Sequence, residues 1–243
     1  MSPAAIPPVV RLGRVDSTQT VAFAQAGAGA PDGTIVVAET QTAGRGRRGR
    51  AWRDEPGASL LLSIVLRPRL EPAALPTLSL AAAVAVAEAL REEPGVDARL
   101  KWPNDVLVGG RKIAGLLLEA RLGHGDTVAV LGVGINVGQR AFPADLAGRA
   151  TSASLAAGRA VDRERVLGAV VAAVHRWRGR LEREGFAPVR ARWRELADTL
   201  GQPIGVDGVR GTAVDIDTDG ALLVDAGGRR TRVLAGEVTE APV

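Results

Sequence analysis

The sequence predicts an α+β chain, in which a mixed β-sheet flanked by helices precedes a small all-β module. Two observations carry this. Up to about residue 199, short β-branched and apolar runs of strand length are interspersed with longer helix-forming stretches. Beyond Gly201 the pattern becomes closely spaced apolar runs broken by Gly and Asp. With 243 residues and 46% hydrophobic content, the chain is long enough for one large domain, or one domain plus a small one.

The elements follow in order. DSTQTVAFAQAG (16–27) opens with the N-cap candidates Asp16, Ser17 and Thr18 and continues in helix formers. TIVVAE (34–39) reads as a strand, TAGRGRRGRAW (42–52) as a loop, and SLLLSIVL (59–66) as a buried strand. Residues 74–93 read as a helix, with Pro76 near its start and Pro94-Gly95 at its end. ARLKW (98–102) reads as a strand, turned by Pro103. Residues 105–122 read as a hairpin with its turn at Gly109-Gly110. A strand over 127–137 and helices near 162–184 and 187–199 complete this part. In the last segment Asp219-Gly220 and Gly227-Gly228 are turn signals, and the spacing predicts an SH3-like β-barrel. The expected division is 1–199 and 200–243.

Composition narrows the chemistry. The chain has no cysteine, which excludes disulfides, a thiolate nucleophile and Cys metal sites. MSPAAIPPVV lacks a basic leader and a long apolar run, and the apolar window Leu78–Leu90 is short for a bilayer and carries Glu88. The expected protein is cytoplasmic, with no membrane partner. Net charge is only +4, and the basic excess is concentrated in the 42–52 loop. Of 31 basic residues only Lys101 and Lys112 are lysine, and the two asparagines are Asn104 and Asn136. Three of these four fall within 101–112, which suggests positions that need an ammonium or a carboxamide.

Four motifs carry candidate chemistry. In the loop, Arg45, Arg47, Arg48 and Arg50 alternate with glycines and end at Trp52. Glycines let backbone N–H groups approach phosphate and arginines clamp its oxygens, so the loop serves either a phosphate ligand or a nucleic acid. It lacks the GK[ST] of a Walker A loop. KWPND (101–105) and RKIAG (111–115) flank one hairpin. If that hairpin is tight, Lys101 and Lys112 share a site with Asp105, which could hold Mg²⁺ or orient an amine; otherwise they form a surface salt bridge. GVGINV (132–137) puts Asn136 at a strand end, as a ligand contact or a turn cap. His124 and His175 have no ligand or triad spacing.

Taken together, DST, QTAGRGRRGRAW, KWPND, RKIAGLLLE and GVGIN, in this order, resemble the biotin–protein ligases (biotin–[acetyl-CoA-carboxylase] ligases). The likeness runs from about residue 11 to 238. It implies a catalytic domain related to class II aminoacyl-tRNA synthetases and lipoate ligases, with a C-terminal SH3-like domain. It implies formation of biotinyl-5′-AMP from biotin and MgATP, then transfer to a lysine of a biotin carboxyl carrier domain. Carried over by motif, Ser17, Thr18, Gln41, Gly44, Arg45, Gly46, Arg47, Arg48, Lys112, Gly115 and Gly134 fall on the biotin side. Arg47, Arg48, Arg50, Trp52, Asn104, Lys112 and Asn136 fall on the ATP or adenylate side. Lys112, Arg47, Lys101 and Asp105 are the expected catalytic residues, with Asp105 also the expected Mg²⁺ contact. The family often has DSTN, where this chain has Gln19. Residues 138–152, with Phe142 their sole aromatic, correspond to an adenine-side loop. About 15 residues precede Asp16, which predicts a ligase without an operator-binding domain, as monomer or homodimer. Three other readings stand beside this one: a lipoate- or octanoyl-protein ligase, a noncatalytic nucleic-acid-binding module, and a stand-alone biotin or nucleotide sensor.

Overall fold

The computed structural model describes residues 8–122 and 127–240; His124 lies outside them. Strands β1 (Val9–Val15), β2 (Ile35–Gln41), β3 (Ser59–Leu66), β4 (Ala98–Lys101), β5 (Asp105–Val108), β6 (Arg111–Leu122) and β7 (Thr127–Asn136) form one sheet, in the order β1-β2-β3-β7-β6-β5-β4. Only β1–β2 is parallel, joined by α1 (Thr18–Gly27). The remaining pairs are antiparallel, so the sheet is mixed as expected.

The two faces of the sheet differ. On one, Leu60, Leu62, Ile64 and Leu66 of β3 and Leu131, Val133 and Ile135 of β7 pack under α2 (Leu75–Glu92), α4 (Arg163–Glu184) and α5 (Ala187–Leu196). Fully burying each such side chain is worth about 1.5–3 kcal/mol. Helix α2 is long and apolar enough to cross a bilayer by length and composition, but it is a core helix whose Ala81, Ala83, Ala85 and Ala87 are buried. On the other face α1 lies mainly over β2, β3 and part of β7, through Ala22, Phe23 and Ala26. Beside α1 the middle of the sheet faces the 42–52 loop.

Local chemistry explains the elements. Ser17 caps α1 by accepting from the Gln19 N–H at 3.2 Å. Asp162 caps α4 through the Glu164 and Arg165 N–H groups. Gly109 (φ 55°) and Gly110 (φ 71°) supply the two left-handed positions that a two-residue hairpin needs. A short helix, α3 (Ala153–Ala157), capped by Ser152, was not foreseen, nor was β1.

The C-terminal sheet comprises β8 (Pro203–Val206), β9 (Val209–Ile216), β10 (Leu222–Ala226), β11 (Arg229–Val233) and β12 (Thr239–Glu240), in the order β11-β10-β9-β8-β12. Its neighbouring strands pair antiparallel, and β11 and β12 are its edges. Among the described residues the expected barrel is therefore an open sheet in its backbone pairing, because the edge strands β11 and β12 do not pair with each other. Trp102 joins this sheet to the first: its backbone N–H donates to Thr199 Oγ1 (2.9 Å) and its indole N–H to the Gly220 carbonyl (3.1 Å).

Candidate active site

A single line of register crosses the open face: Ala38 pairs Leu61, Leu61 pairs Gly134, Gly134 pairs Gly115, Gly115 pairs Asp105, and Asp105 pairs Lys101. Directly paired residues put their side chains on the same face, so the two central glycines leave a trough between Leu61 and Asp105. A register shift between Val106 and Leu107 brings Lys112 opposite Leu107. The bulge turns Lys112 to the face of Asp105 and leaves Ile113 and Ala114 buried on the helix side. The Lys112 Nζ then pairs with Asp105 Oδ1 at 2.6 Å.

The backbone at Lys112 is fixed as well. Its N–H donates to the Arg149 carbonyl and its carbonyl accepts from the Thr151 N–H, both at 2.9 Å, which ties the 138–152 loop to the start of β6. Asn136 is buried and donates to the Thr151 carbonyl at 3.1 Å, while its Oδ1 accepts from Gln139. The Thr151 Oγ1 and Gln139 Oε1 are buried beside it without protein partners.

Trp52 occupies the trough. A Cβ built on Gly134 would lie 2.5 Å from Trp52 Cε2, and one on Gly115 would lie 3.1 Å from Cζ3. The indole therefore rests flat on both glycines, and Lys112 Nζ sits 5.8 Å from the ring centre. The Trp52 Nε1 is buried with no hydrogen-bond partner. The sequence reading assigned Trp52 to the adenylate and these glycines to biotin, whereas here all three are in contact.

The arginines separate into two groups. Arg45 pairs with Glu119 (3.3 Å), Arg48 with Asp207 (2.7 Å) and Arg50 with Glu237 (2.5 Å). All three are exposed, and Asp207 and Glu237 belong to the C-terminal segment. Arg47 is half-buried and has no carboxylate partner among the described residues; its Nη1 donates to Asn104 Oδ1 at 3.4 Å. Burial first, and the neighbouring Arg48 second, push its pKa down, while Asp105 and Asp207 oppose this. A half-buried guanidinium without a counter-charge is a receptor for an anion. Arg48 adopts φ 56°, a left-handed backbone that is uncommon outside glycine. An open cleft of about 530 Å³ under the loop is lined by Arg45, Gly46, Arg47, Arg48, Leu117 and Glu119.

At the α1 end the groups are neutral. Gln41 Oε1 accepts from the Thr18 N–H (2.7 Å) and the Thr18 hydroxyl (3.1 Å). The backbone N–H can only donate, so the oxygen of the Gln41 amide faces Thr18 and Nε2 is left for another acceptor. Ser63 Oγ donates to Thr18 Oγ1 at 2.9 Å. Ser17 and Thr18 are buried. Gly44 is a glycine because Gln41 Nε2 and the Trp52 carbonyl pass within about 3 Å of where its Cβ would sit.

The structure thus brings together Thr18, Gln41, Gly44, Trp52, Gly115, Gly134, Lys112, Asp105, Asn104 and Arg47. Lys112 pairs with Asp105, and Lys101, directly opposite Asp105 in the register, has no ion pair among the described residues. Ser63, Gly132 and Gln19, which complete the α1 end, were not singled out as site residues. Among the described residues no group of three His, Cys, Asp or Glu is placed to hold a metal. Asp105 is the carboxylate here that would contact a cation carried in by phosphate and water.

Comparison with known proteins places the chain among its relatives. The profile described as "Biotin/lipoate A/B protein ligase family" matches residues 12–136, and "Biotin protein ligase C terminal domain" matches 199–239. A biotin–[acetyl-CoA-carboxylase] ligase of Paracoccus denitrificans is 38% identical over 237 residues, covering 93% of this chain and 98% of the relative. One of Mycobacterium tuberculosis is 38% identical over 236 residues, covering 91% and 85%. A bifunctional ligase/repressor of Bacillus subtilis is 37% identical over 219 residues, covering 87% of this chain and 67% of the relative. Among solved structures, the biotin protein ligase of Aquifex aeolicus in complex with biotin and ATP superposes with a TM-score of 0.85 at 30% identity, covering 96% and 98%.

Proposed function

The chain belongs to the biotin/lipoate A/B protein ligase family, and from that premise we propose how its residues divide the work of a biotin–protein ligase. In the first step a biotin carboxylate oxygen attacks the α-phosphorus of ATP. The bond to the bridging oxygen breaks, giving biotinyl-5′-AMP and pyrophosphate. In the second step a lysine amine of a biotin carboxyl carrier domain attacks the acyl carbon, forms the amide, loses its proton and expels AMP.

One observation carries the assignment: a glycine-floored trough runs from the neutral hydrogen-bonding groups of Thr18 and Gln41 to the cations Lys112 and Arg47. That polarity suits a ligand with a neutral polar head and an anionic tail. Two anions must meet in the first step. Lys112, released from Asp105, and Arg47 neutralise the carboxylate and α-phosphate oxygens and stabilise the charge that develops there. Magnesium on the phosphates supplies further neutralisation, with Asp105 the group that would contact it. Once Lys112 turns to phosphate, Asp105 is also free to orient the incoming amine. Asn136, with the 138–152 loop it holds, borders the adenine end, and Arg48 and Arg50 close over the phosphates by leaving Asp207 and Glu237. A closed loop keeps water from the acyl-adenylate.

We divide the chain into a ligand-binding unit, 1–199, and a C-terminal unit, 200–243. We read it as a cytoplasmic enzyme without operator binding, for which the ligase from Paracoccus, covered over 98% of its length, is the supporting parallel. A footprint with sequence-specific protection would overturn that last point.

The test is intact-mass analysis of a carrier domain incubated with the protein, biotin and MgATP. The expected result is a gain of one biotinyl group that requires ATP. Pyrophosphate release without a gain would point to a different acceptor. Gain of lipoyl in place of biotinyl would transfer the reading to the lipoate ligases.

A further inference from the structure

Gln19 stands one residue past Thr18, and its side chain leaves α1 for the sheet. Its Nε2 donates to the Val130 carbonyl at 3.2 Å and the Leu117 carbonyl at 3.4 Å. Its Oε1 lies 3.3 Å from Ser63 Oγ. The residue is 3% exposed. A second line of register runs beneath it, pairing Val36 with Ser63, Ser63 with Gly132 and Gly132 with Leu117. This line lies two residues along each strand from the trough floor. A Cβ built on Gly132 would collide with Gln19 Oε1. That oxygen ends a flexible side chain, but it has little freedom to move, because the amide is bonded to two strands and adjoins Ser63.

The network continues into the site. Ser63 donates to Thr18 Oγ1, and Thr18 donates through both its hydroxyl and its N–H to Gln41 Oε1. Each member sets the orientation of the next, down to the Gln41 Nε2 that is left for a ligand.

We infer that Gln19 and Gly132 form a size-matched pair that positions Thr18 and Gln41 for the neutral head of the ligand. The inference rests on the ligase reading, in which that head is the cyclic urea of biotin. Gln19 acts through Ser63 and α1 and is a positioning residue. It is one methylene longer than the asparagine often found after DST, and the missing Cβ at Gly132 is the room that this methylene needs. Gln19→Asn should draw the amide short of Val130 and Leu117, and Gly132→Ala should push it away. Gln19→Asn/Gly132→Ala should restore the fit, because the shorter side chain and the added methyl compensate.

The experiment measures biotin-dependent pyrophosphate release by the full chain. Each single variant is expected to raise the KM for biotin about fivefold or more, with kcat and the KM for ATP changed less than about twofold. The double variant is expected to return within about twofold of the original, a non-additivity that independent sites do not show. Ser63→Ala breaks the link to Thr18 while leaving the Gln19 amide bonded to Val130 and Leu117, and should raise the biotin KM even if Gly132→Ala does not fold. Additive single effects, an unchanged biotin KM in Gln19→Asn and Ser63→Ala, or an equal rise in the ATP KM would overturn the inference alone. Absence of biotin-dependent release by the unaltered chain would sink it together with the ligase reading.

Discussion

At the α1 end of the trough, Thr18, Gln41 and Ser63 are largely buried and joined by neutral hydrogen bonds, with the Gln19 amide anchored beside them on the Val130 and Leu117 carbonyls. At the loop end, Arg45, Arg48 and Arg50 are exposed and hold carboxylates. The materials differ, and so does what it costs to rearrange them. Removing one member of a buried network strands its partner, at about 1–3 kcal/mol. An exposed ion pair is worth about 0–1 kcal/mol and weakens with salt. One end is therefore set before a ligand arrives. The other is held by contacts that a polyphosphate can replace at little cost. Arg47 and Lys112 stand at the junction: Arg47 has no carboxylate partner among the described residues, and in the proposed reaction Lys112 gives up Asp105.

The comparison can be broken most forcefully at that junction. Lys112→Ala should lower the rate of adenylate formation about 10²–10³-fold, the scale for losing one preorganised charge donor. Measured by pyrophosphate release, a loss below tenfold would move the catalytic charge elsewhere. Lys112→Arg should recover only part, since a guanidinium fork does not replace a point charge beside Asp105.

Next in size is the neutral end. Thr18→Val removes a donor to Gln41 and the acceptor for Ser63, and should raise the KM for biotin about tenfold while kcat holds. Initial-rate kinetics at saturating ATP would show it, and an equal fall in kcat would mean that this end takes part in the chemistry. Smallest is the effect at the exposed pairs. Asp207→Asn with Glu237→Gln should shift unfolding stability by less than about 1 kcal/mol while making the 42–52 loop more sensitive to protease before ligand is added. A large loss of stability would show that these pairs hold the C-terminal sheet in place and do not merely park the loop.

Much of this was legible in the sequence, for local reasons. The hairpin announces itself through Gly109-Gly110, and α2 through its apolar run between Pro76 and Pro94. The arginine loop, Lys112 and the paired glycines are visible as motifs. Strand β1 was missed because Arg11, Gly13 and Arg14 interrupt its apolar residues, and only pairing with β2 at the sheet edge makes it a strand. The sequence marks Gln19 only as a departure from DSTN. Its role depends on Gly132, 113 residues away, and nothing in its neighbourhood signals that. The bulge that turns Lys112 and the seat of Trp52 are likewise long-range facts. The barrel expected at the C-terminus follows from the number of strand-like runs, whereas closure needs a pairing between the edge strands β11 and β12, which the described residues do not make.

The indole on Gly115 and Gly134 changes what an affinity for this protein means. An empty trough would gain from a ligand the full benefit of covering its floor. Here that floor is already covered, so binding is an exchange of one flat apolar group for another. The net apolar surface removed from water is small, and so is the expected heat-capacity change of binding. Calorimetry should find a more negative value in Trp52→Ala, where the vacated floor is wet; equal values would mean that the ring keeps its seat when the ligand binds. By the same logic the measured dissociation constant is the intrinsic one divided by the fraction of molecules in which the ring has swung clear. A substitution far from the ligand that only loosens Trp52 would then present itself as tighter binding.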